Sequence, residues 1–333
     1  MKAFEDLTSR GQAGRIRPMA IALLDLHRRP FDSLSLIHHG ENTTFRAQKN
    51  DAHYLCRIHR PGYQTLESIR SEMEFIDHCR KAGLKVPEAI YSKKKKEAVH
   101  LLSLETIDGV QPAADRFGVL FTWLHGTFRS KMSLRSAPRI GAYMAKMHLA
   151  SERFKPSSSF YRPRLDEKGI YTVMGGNVDH FKPADREKII LIQEIAAVFF
   201  DEIGKDASQF GMVHNDFHAG NRLFVDGEIA AIDFDDCGWS WFIYDIAVCL
   251  SYHRSQDNYP AIVQAFFEGY RLVREISEEE EKGLELLVQV RRIQLLLWIE
   301  GRSDNPRFVT RLPAYLEWAL ESINAFLKKS TLT

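Results

Sequence analysis

The spacing of apolar residues divides the chain into a strand-rich first part and a helical second part. Short runs with apolar or alternating character, each predicted to be a β-strand, lie at 33–37, 43–47, 53–59, 86–91, 98–104 and 117–123. Between the third and fourth runs, apolar residues recur at helical spacing over 66–82, and Gly83 stands where a helix cap belongs. The first thirty residues predict one or two short helices. We therefore expect a sheet with one embedded helix.

The second part of the chain is dominated by helical periodicity and by residues that favour helices. The predicted helices span 137–150, 185–202, 241–252, 260–273, 278–300 and 313–328. A short island of strands and loops interrupts them. The predicted fold class is α+β, with a strand-rich N-terminal lobe over 1–120, a connector over 121–126 and a mainly helical lobe over 127–333.

Composition excludes several classes of function. The 333 residues are 44% apolar and carry a net charge of +1, so no strong attraction to nucleic acid or to an anionic membrane is expected. The run Lys93–Lys96 predicts a solvated hairpin tip. No apolar run is long enough to cross a bilayer, and the start lacks a secretory signal. Four widely spaced cysteines favour reduced thiols, hence a cytoplasmic protein.

Three polar residues in the strand–loop island have the spacing of a phosphotransfer site. Asp216 and Asn221 repeat the spacing of the kinase catalytic loop, H-R-D-x-x-x-x-N, and Asp233 follows a short apolar run at the position of the D-F-G aspartate. Phosphoryl transfer requires an acidic side chain beside the attacking hydroxyl and two further oxygen ligands for Mg²⁺. This segment supplies all three.

The wider sequence around these residues resembles the aminoglycoside phosphotransferase and choline kinase-like superfamily. The resemblance is carried by residues 213–221, 231–236, 241–247 and 145–148, and within the superfamily it points to the homoserine kinase-like and bacterial stress-response kinase branches. It implies a bilobal, protein-kinase-like fold. It also implies an ATP- and Mg²⁺-dependent transfer of the γ-phosphate to a hydroxyl of a small acceptor molecule.

The resemblance also implies roles for individual residues. Asp216 would accept the proton of the acceptor hydroxyl or orient that hydroxyl, and Asn221 and Asp233 would ligate Mg²⁺. Three further residues would support this site: His214 as an organiser of the loop, Asp235 beside the metal or the acceptor, and Asp245 as a brace from the following helix.

The small lobe departs from the kinase pattern. Its turn has a single glycine, Gly40, with Thr43 and Thr44 as candidate phosphate contacts. Arg57 stands where kinases carry lysine, and Glu72 is its predicted partner on the helix. Phe121 and Trp123 fall in or beside the connector that would receive the adenine. Arg57 also fits an exposed strand position, and Glu72 a solvated helix position.

Several alternatives stay open from the sequence. The segment 214–221 also fits a plain polar turn, or a zinc site built on His214 and His218. A Ser/Thr protein kinase of the stress-response type and a non-catalytic nucleotide-binding regulator are further candidates. The sequence determines neither the acceptor, nor the preference between ATP and GTP, nor the oligomeric state.

Overall fold

Two separate cores organise the chain in the computed structural model, which describes residues 2–93, 96–105, 112–302 and 310–330. The first compact unit comprises Met1–Gly126 with Lys155–Tyr161, and the second comprises Thr127–Phe154 with Arg162–Thr333. Lys94 and Lys95 of the predicted hairpin tip lie outside the described residues. No helix in the described ranges combines the length and the apolar character needed to cross a membrane.

The first unit is built on a five-stranded antiparallel sheet with the order β1-β2-β3-β5-β4. Its strands are β1 Ser33–His39, β2 Thr43–Lys49, β3 Ala52–Ile58, β4 Val99–Leu102 and β5 Arg116–Thr122. Helix α1, Ser9–Leu26, precedes the sheet, and helix α2, Leu66–Lys81, connects β3 to β4. The sequence prediction of one embedded helix holds for α2. The N-terminal residues form one further helix of 18 residues instead of short pieces.

Both helices follow from local sequence signals. The apolar face of α1, which includes Ile16, Met19 and Leu23, packs into the same core as sheet residues of β2, β3 and β5. Helix α2 begins after Thr65, whose hydroxyl accepts a hydrogen bond from the backbone of Ser68. It ends at Lys81, two residues before Gly83, whose φ of 87° is typical of a glycine that follows a helix C-terminus.

The prediction that residues 86–91 form a complete strand is wrong. Only Ala89 forms a bridge, opposite Phe121, although Ile90 N–H donates to the carbonyl of Leu120 at 2.7 Å. Pro87 has no N–H to donate, and β4 already occupies the 116–119 stretch of β5. The segment is therefore extended but is left with only the end of β5 for pairing.

The second unit is mainly helical and carries two short antiparallel ribbons, β6–β9 and β7–β8. Its strands are β6 Phe210–Val213, β7 Arg222–Val225, β8 Glu228–Ala231 and β9 Gly238–Trp241. Its helices within the described residues are α3 Ala137–Glu152, α4 Gly169–Thr172, α5 Pro183–Ile203, α6 Phe242–Ser251, α7 Tyr259–Arg271, α8 Glu278–Lys282, α9 Leu284–Glu300 and α10 Leu312–Ser330. The single helix predicted over 278–300 is divided at Gly283, which packs against the ring of Phe199.

The two ribbons hold the ends of the loop that carries the predicted site. Val213 pairs with Gly238 at the end of one ribbon, and Arg222 pairs with Ala231 at the end of the other. Residues 214–221 and 232–237 therefore leave the ribbons next to each other. Helix α6 starts directly after β9 and is buried along almost its entire length.

Helices α3 and α7 approach each other closely because glycines face the contact from both sides. A Cβ added to Gly141 would overlap the carbonyl of Phe266, and one added to Gly269 would overlap the carbonyl of Pro138. This contact brings His148 of α3 within 2.8 Å of the hydroxyl of Tyr270 of α7. The glycines thus determine the position of a histidine that reaches the site region.

Replacing Gly269 with alanine is expected to lower the free energy of unfolding by about 1–3 kcal/mol, because the methyl group has to displace the backbone of Pro138. Urea denaturation measures the effect. Gly14→Ala on α1 is the control, since a methyl group there would meet no atom of another element within 4 Å, and it should stabilise the protein by up to about 1 kcal/mol. Equal effects of the two substitutions would contradict the close approach of α3 and α7.

Candidate active site

The loop between β6 and β7 turns sharply at its start. Asn215 has a φ of 62°, and Asp233, which follows β8, has a φ of 63°. Asparagine and aspartate tolerate this left-handed conformation better than other residues with a side chain, yet each instance still costs about 1–2 kcal/mol. The surrounding hydrogen bonds must therefore hold both turns, and each turn lies at or directly before a predicted site residue.

The carboxylate of Asp216 is held on both of its oxygens. Oδ1 accepts a hydrogen bond from Nη2 of Arg291 at 2.6 Å, and Oδ2 accepts one from Nδ2 of Asn221 at 3.0 Å. Nε2 of His218 lies 3.4 Å from Oδ2. Burial opposes ionisation of Asp216, but the hydrogen bond from His218 and the charge of Arg291 outweigh it and lower the pKa of the carboxyl. Asp216 is therefore a carboxylate at neutral pH.

Asn221 presents its two amide atoms to different neighbours. Its Nδ2 donates to the carbonyl and to Oδ2 of Asp216, both at 3.0 Å, which leaves the amide oxygen for another partner. Its backbone carbonyl accepts the N–H of Ile232 at 3.0 Å, and this bond brings Asp233 beside the loop. An amide oxygen and a carboxylate are hard donors that fit Mg²⁺.

His214 is buried between the loop and β8, and it is neutral. Nδ1 accepts the N–H of Asp216 at 3.3 Å, and Nε2 lies 3.0 Å from the carbonyl of Ile232, to which it donates. Burial lowers the pKa of His214, so this single tautomer with one donor and one acceptor persists at neutral pH. The imidazole ties the start of the loop to the residue that precedes Asp233.

The zinc interpretation of His214 and His218 does not fit these contacts. Both ring nitrogens of His214 bond within the protein, and Nδ1 of His218 accepts the N–H of Gly220 at 2.8 Å. Within the described ranges, no group of three or more His, Cys, Asp or Glu residues is arranged to hold a metal ion. A metal at Asn221 and Asp233 would thus need ligands from a bound substrate or from water.

Asp245 of α6 is a buried hub beneath the loop. Its Oδ1 accepts the N–H of Asn215 at 2.7 Å, and its Oδ2 accepts the N–H of His214 at 3.3 Å and lies 3.1 Å from Nε2 of His148. Burial lowers the pKa of His148 and outweighs the opposing effect of Asp245. Neutral His148 donates to Asp245 and accepts from the hydroxyl of Tyr270. The strained turn at Asn215 thus receives a charge-assisted hydrogen bond.

Asp235 is also buried, and an arginine holds its backbone. The guanidinium of Arg162 donates through Nη2 to the carbonyl of Asp235 at 2.5 Å and through Nε to the carbonyl of Cys237 at 2.7 Å. Neither Arg162 nor Arg291 was predicted from the sequence. The sequence signal for Arg291 was a charged residue inside the apolar run of α9, because arginine is rarely buried without a partner.

In the first unit, Arg57 and Glu72 form a buried ion pair between β3 and α2. Nη2 of Arg57 lies 2.5 Å from Oε2 of Glu72, and both side chains are almost inaccessible to solvent. The alternatives of an exposed strand arginine and a solvated helix glutamate are therefore wrong. The ring of Phe121 lies 5.0 Å from the guanidinium of Arg57, and the half-buried Trp123 contacts Arg46 in the same way.

The turn between β1 and β2 is compact. Gly40 N–H donates to the carbonyl of Asn42 at 3.0 Å. Thr43 is buried, and its hydroxyl lies 2.8 Å from Nδ1 of His39, so it is engaged within the unit. Thr44 is half-buried and pairs across the sheet with β3. Of the two threonines, Thr44 is the more accessible.

Comparison with known proteins assigns the family. Residues 16–284 match the APH family, described as a phosphotransferase enzyme family. The chain belongs to this phosphotransferase family. The resemblance predicted from the loop motifs is thereby confirmed, and so is the prediction that the chain is an enzyme of the phosphotransferase class.

Individual relatives are distant in sequence. An amicoumacin kinase of Bacillus subtilis (strain 168) is 23% identical over 66% of this chain and 62% of its own length. A homoserine kinase of Acidiphilium cryptum (strain JF-5) is 26% identical over 59% of this chain and 63% of its own length. The chain thus spans somewhat less than two thirds of these two relatives.

Solved structures share the fold over most of the chain. A microcompartment-associated aminopropanol kinase has a TM-score of 0.79 at 23% identity, covering 94% of this chain and 98% of its own. The amicoumacin kinase hAmiN was solved in complex with AMP-PNP, Ca²⁺ and Ami. It has a TM-score of 0.70 at 19% identity, and the match covers 86% of this chain and 87% of its own. The predicted α+β, kinase-like fold is confirmed.

The stability of the folded chain should depend on pH through His253. This buried imidazole lies 3.4 Å from Arg222, and burial followed by the charge of Arg222 lowers its pKa to about 4. Because the unfolded chain binds a proton near pH 6.5 and the folded chain does not, stability is lost as the pH falls from 6.5 towards 4. In His253→Gln, the slope of unfolding free energy against pH should be smaller by up to about 1.4 kcal/mol per unit. Denaturant titrations between pH 7 and 4 measure it, and an unchanged slope would contradict the prediction.

Proposed function

We propose that this chain is an ATP- and Mg²⁺-dependent phosphotransferase that moves the γ-phosphate to a hydroxyl of a small acceptor molecule. The observation that carries the proposal is the joint geometry of Asp216 and Asn221. The amide nitrogen of Asn221 donates to the carboxylate of Asp216, and the amide oxygen is proposed to bind a cation next to Asp233. Family membership supports the reaction class.

Asp216 is suited to act on the hydroxyl of the acceptor. Its carboxylate is ionised and partly accessible, with 20% of the side chain exposed. It orients the hydroxyl by accepting its hydrogen bond, and it takes the proton as the new oxygen–phosphorus bond forms and the bond between the γ-phosphate and ADP breaks. Asn221 and Asp233 would hold Mg²⁺, which when bound supplies positive charge to the phosphate oxygens. His214 and Asp245 keep this loop in place and take no proton from the acceptor.

The first unit supplies the groups proposed for the nucleotide. Arg57 carries a permanent charge on a planar fork, and its pairing with Glu72 fixes that fork as the lysine–glutamate pair does in kinases. Thr44 and the backbone of the turn at Gly40 are the proposed phosphate contacts. The buried Thr43 is proposed to hold this turn in place through its contact with His39. The backbone around Phe121 and Trp123 is proposed to receive the adenine.

Small acceptors are favoured over proteins. The relatives described above are named for aminopropanol, amicoumacin and homoserine, all small molecules, and none of them supports the protein-kinase alternative. The non-catalytic alternative is disfavoured because Asp216, Asn221 and Asp233 are all retained. The four cysteines are free and buried, which supports a reducing compartment such as the cytoplasm.

Asp216→Asn is expected to reduce the turnover number for phosphate transfer by about 100-fold or more, because the amide accepts no proton. A coupled ADP-release assay on a panel of small amino alcohols and hydroxy amino acids measures it. Asp226→Asn is the control, since Asp226 is an exposed residue of the β7–β8 turn with a φ of 49° that asparagine tolerates. Turnover by Asp216→Asn at the wild-type rate would contradict the role of Asp216.

Asp233→Ala and Asn221→Ala are expected to remove the Mg²⁺-dependent part of the thermal stabilisation by ATP. A ligand that binds only the folded state raises the melting temperature by mass action, so the wild type should melt higher with ATP and Mg²⁺ than with either alone. Thermal unfolding with ATP, GTP and ADP, each with and without Mg²⁺, measures this. Mg²⁺ titrations that coincide for wild type and both variants would contradict the assignment of the metal ligands.

A further inference from the structure

Arg291 places a buried cation directly on the proposed catalytic carboxylate. It lies 75 positions after Asp216 in the chain, and its Nη2 donates to Oδ1 of Asp216 at 2.6 Å. Only 6% of the Arg291 side chain is exposed. Among the residues that the structure describes, the carboxylate at ion-pair distance from this guanidinium belongs to Asp216.

The guanidinium is itself held from two helices. Its Nη1 donates to Oε1 of Gln294 at 2.5 Å, and the same Oε1 accepts the hydroxyl of Tyr244 of α6 at 2.7 Å. Its Nη2 also lies 3.1 Å from the hydroxyl of Tyr252, just beyond α6. Gln294 and Tyr244 are fully buried. These contacts fix the position of the Arg291 guanidinium, and the carboxylate of Asp216 aligns with it.

The contacts of Asp216 divide its two oxygens between different partners. Arg291 binds Oδ1, whereas Asn221 and His218 approach Oδ2. With one anchor on each oxygen, the carboxylate plane cannot rotate freely about the terminal side-chain bond. Without Arg291, both remaining contacts lie on a single oxygen, and the plane is free to swing around it.

The orientation of this plane matters for transfer. A general base has to reach the hydroxyl within a hydrogen-bond distance of about 2.6–3.2 Å while that hydroxyl faces the phosphate. A displacement of about 1 Å at such a group reduces rates by about 100-fold. A buried, pre-organised partner that keeps the carboxylate in one orientation therefore acts on the rate and leaves substrate binding largely alone.

We propose that Arg291 is a positioning residue for phosphate transfer, which fixes the carboxylate of Asp216 in the orientation that receives the acceptor hydroxyl. This inference rests on the proposed function. Arg291 acts through Asp216, so removing it should lower kcat, should leave KM for ATP unchanged, and should have no effect once Asp216 is absent.

Arg292 offers a matched control on the same helix. It is as buried as Arg291, but its guanidinium stacks on the ring of Trp318 at 3.9 Å. Arg291→Met and Arg292→Met each remove one buried cation of the same size from adjacent positions. A general loss of α9 packing would affect both variants, whereas loss of carboxylate positioning would affect only Arg291→Met.

The experiment is a double-mutant cycle with steady-state kinetics. Arg291→Met, Arg292→Met, Asp216→Asn and the Arg291→Met/Asp216→Asn pair are assayed with radiolabelled ATP and one acceptor that the wild type uses. We expect kcat to fall about 10- to 100-fold in Arg291→Met with KM for ATP unchanged. Arg292→Met should keep the wild-type kcat. The double variant should match Asp216→Asn alone, because the two residues act as a unit.

Arg291→Lys covers the case in which Arg291→Met does not fold. Lysine keeps the charge but replaces the fork with a single ammonium, so it should restore folding and part of kcat. A wild-type kcat in Arg291→Met or Arg291→Lys, equal losses in Arg291→Met and Arg292→Met, or multiplicative losses in the double variant would overturn the positioning role. If the wild type transfers no phosphate to any acceptor, the proposed function itself fails and the role falls with it.

Discussion

The buried carboxylate of Asp245 is the constraint on which the rest of the site depends. The loop leaves β6 in a left-handed turn at Asn215, a conformation that needs compensation from its surroundings. Asp245 provides it by accepting the N–H groups of His214 and Asn215, and His148 donates to the same carboxylate from α3. A charged acceptor shared by several buried donors is among the stronger hydrogen-bond arrangements in proteins. Helix α6 therefore determines where the next residue, Asp216, is placed.

A second set of contacts holds the neighbouring segments of the candidate site in position. His214 connects the loop to the carbonyl before Asp233, while Arg162 holds the carbonyls of Asp235 and Cys237. These contacts bring two segments that are well separated in sequence to neighbouring ribbon ends. The groups proposed for the chemistry are the carboxylate of Asp216, the amide oxygen of Asn221 and the carboxylate of Asp233. Contacts to the backbone therefore hold both segments of the candidate site in place.

The sequence predicted those parts of the site whose signals are local. The spacing of Asp216, Asn221 and Asp233 was readable because a loop and a hairpin connect them directly. The pairing of Arg57 with Glu72 was readable because a strand and the following helix place them fifteen residues apart. Arg162 and Arg291 were missed because their partners lie more than seventy residues away. The strand predicted over 86–91 failed for a related reason, since its apolar run says nothing about β4 occupying most of β5.

In each compact unit, a buried arginine is paired with a carboxylate on another element. Arg57 of β3 meets Glu72 of α2 in the first unit, and Arg291 of α9 meets Asp216 in the second. Desolvating both charges removes most of the Coulombic gain of such a pair, so hydrophobic replacements are often equally stable. Breaking one partner is costly, because the other charge stays buried. Buried ion pairs of this kind add little to the free energy of unfolding, but they hold the two side chains in one relative orientation. Orientation, more than stability, is therefore the physical reason for a permanent, forked cation at the carboxylate that is proposed to receive the acceptor hydroxyl.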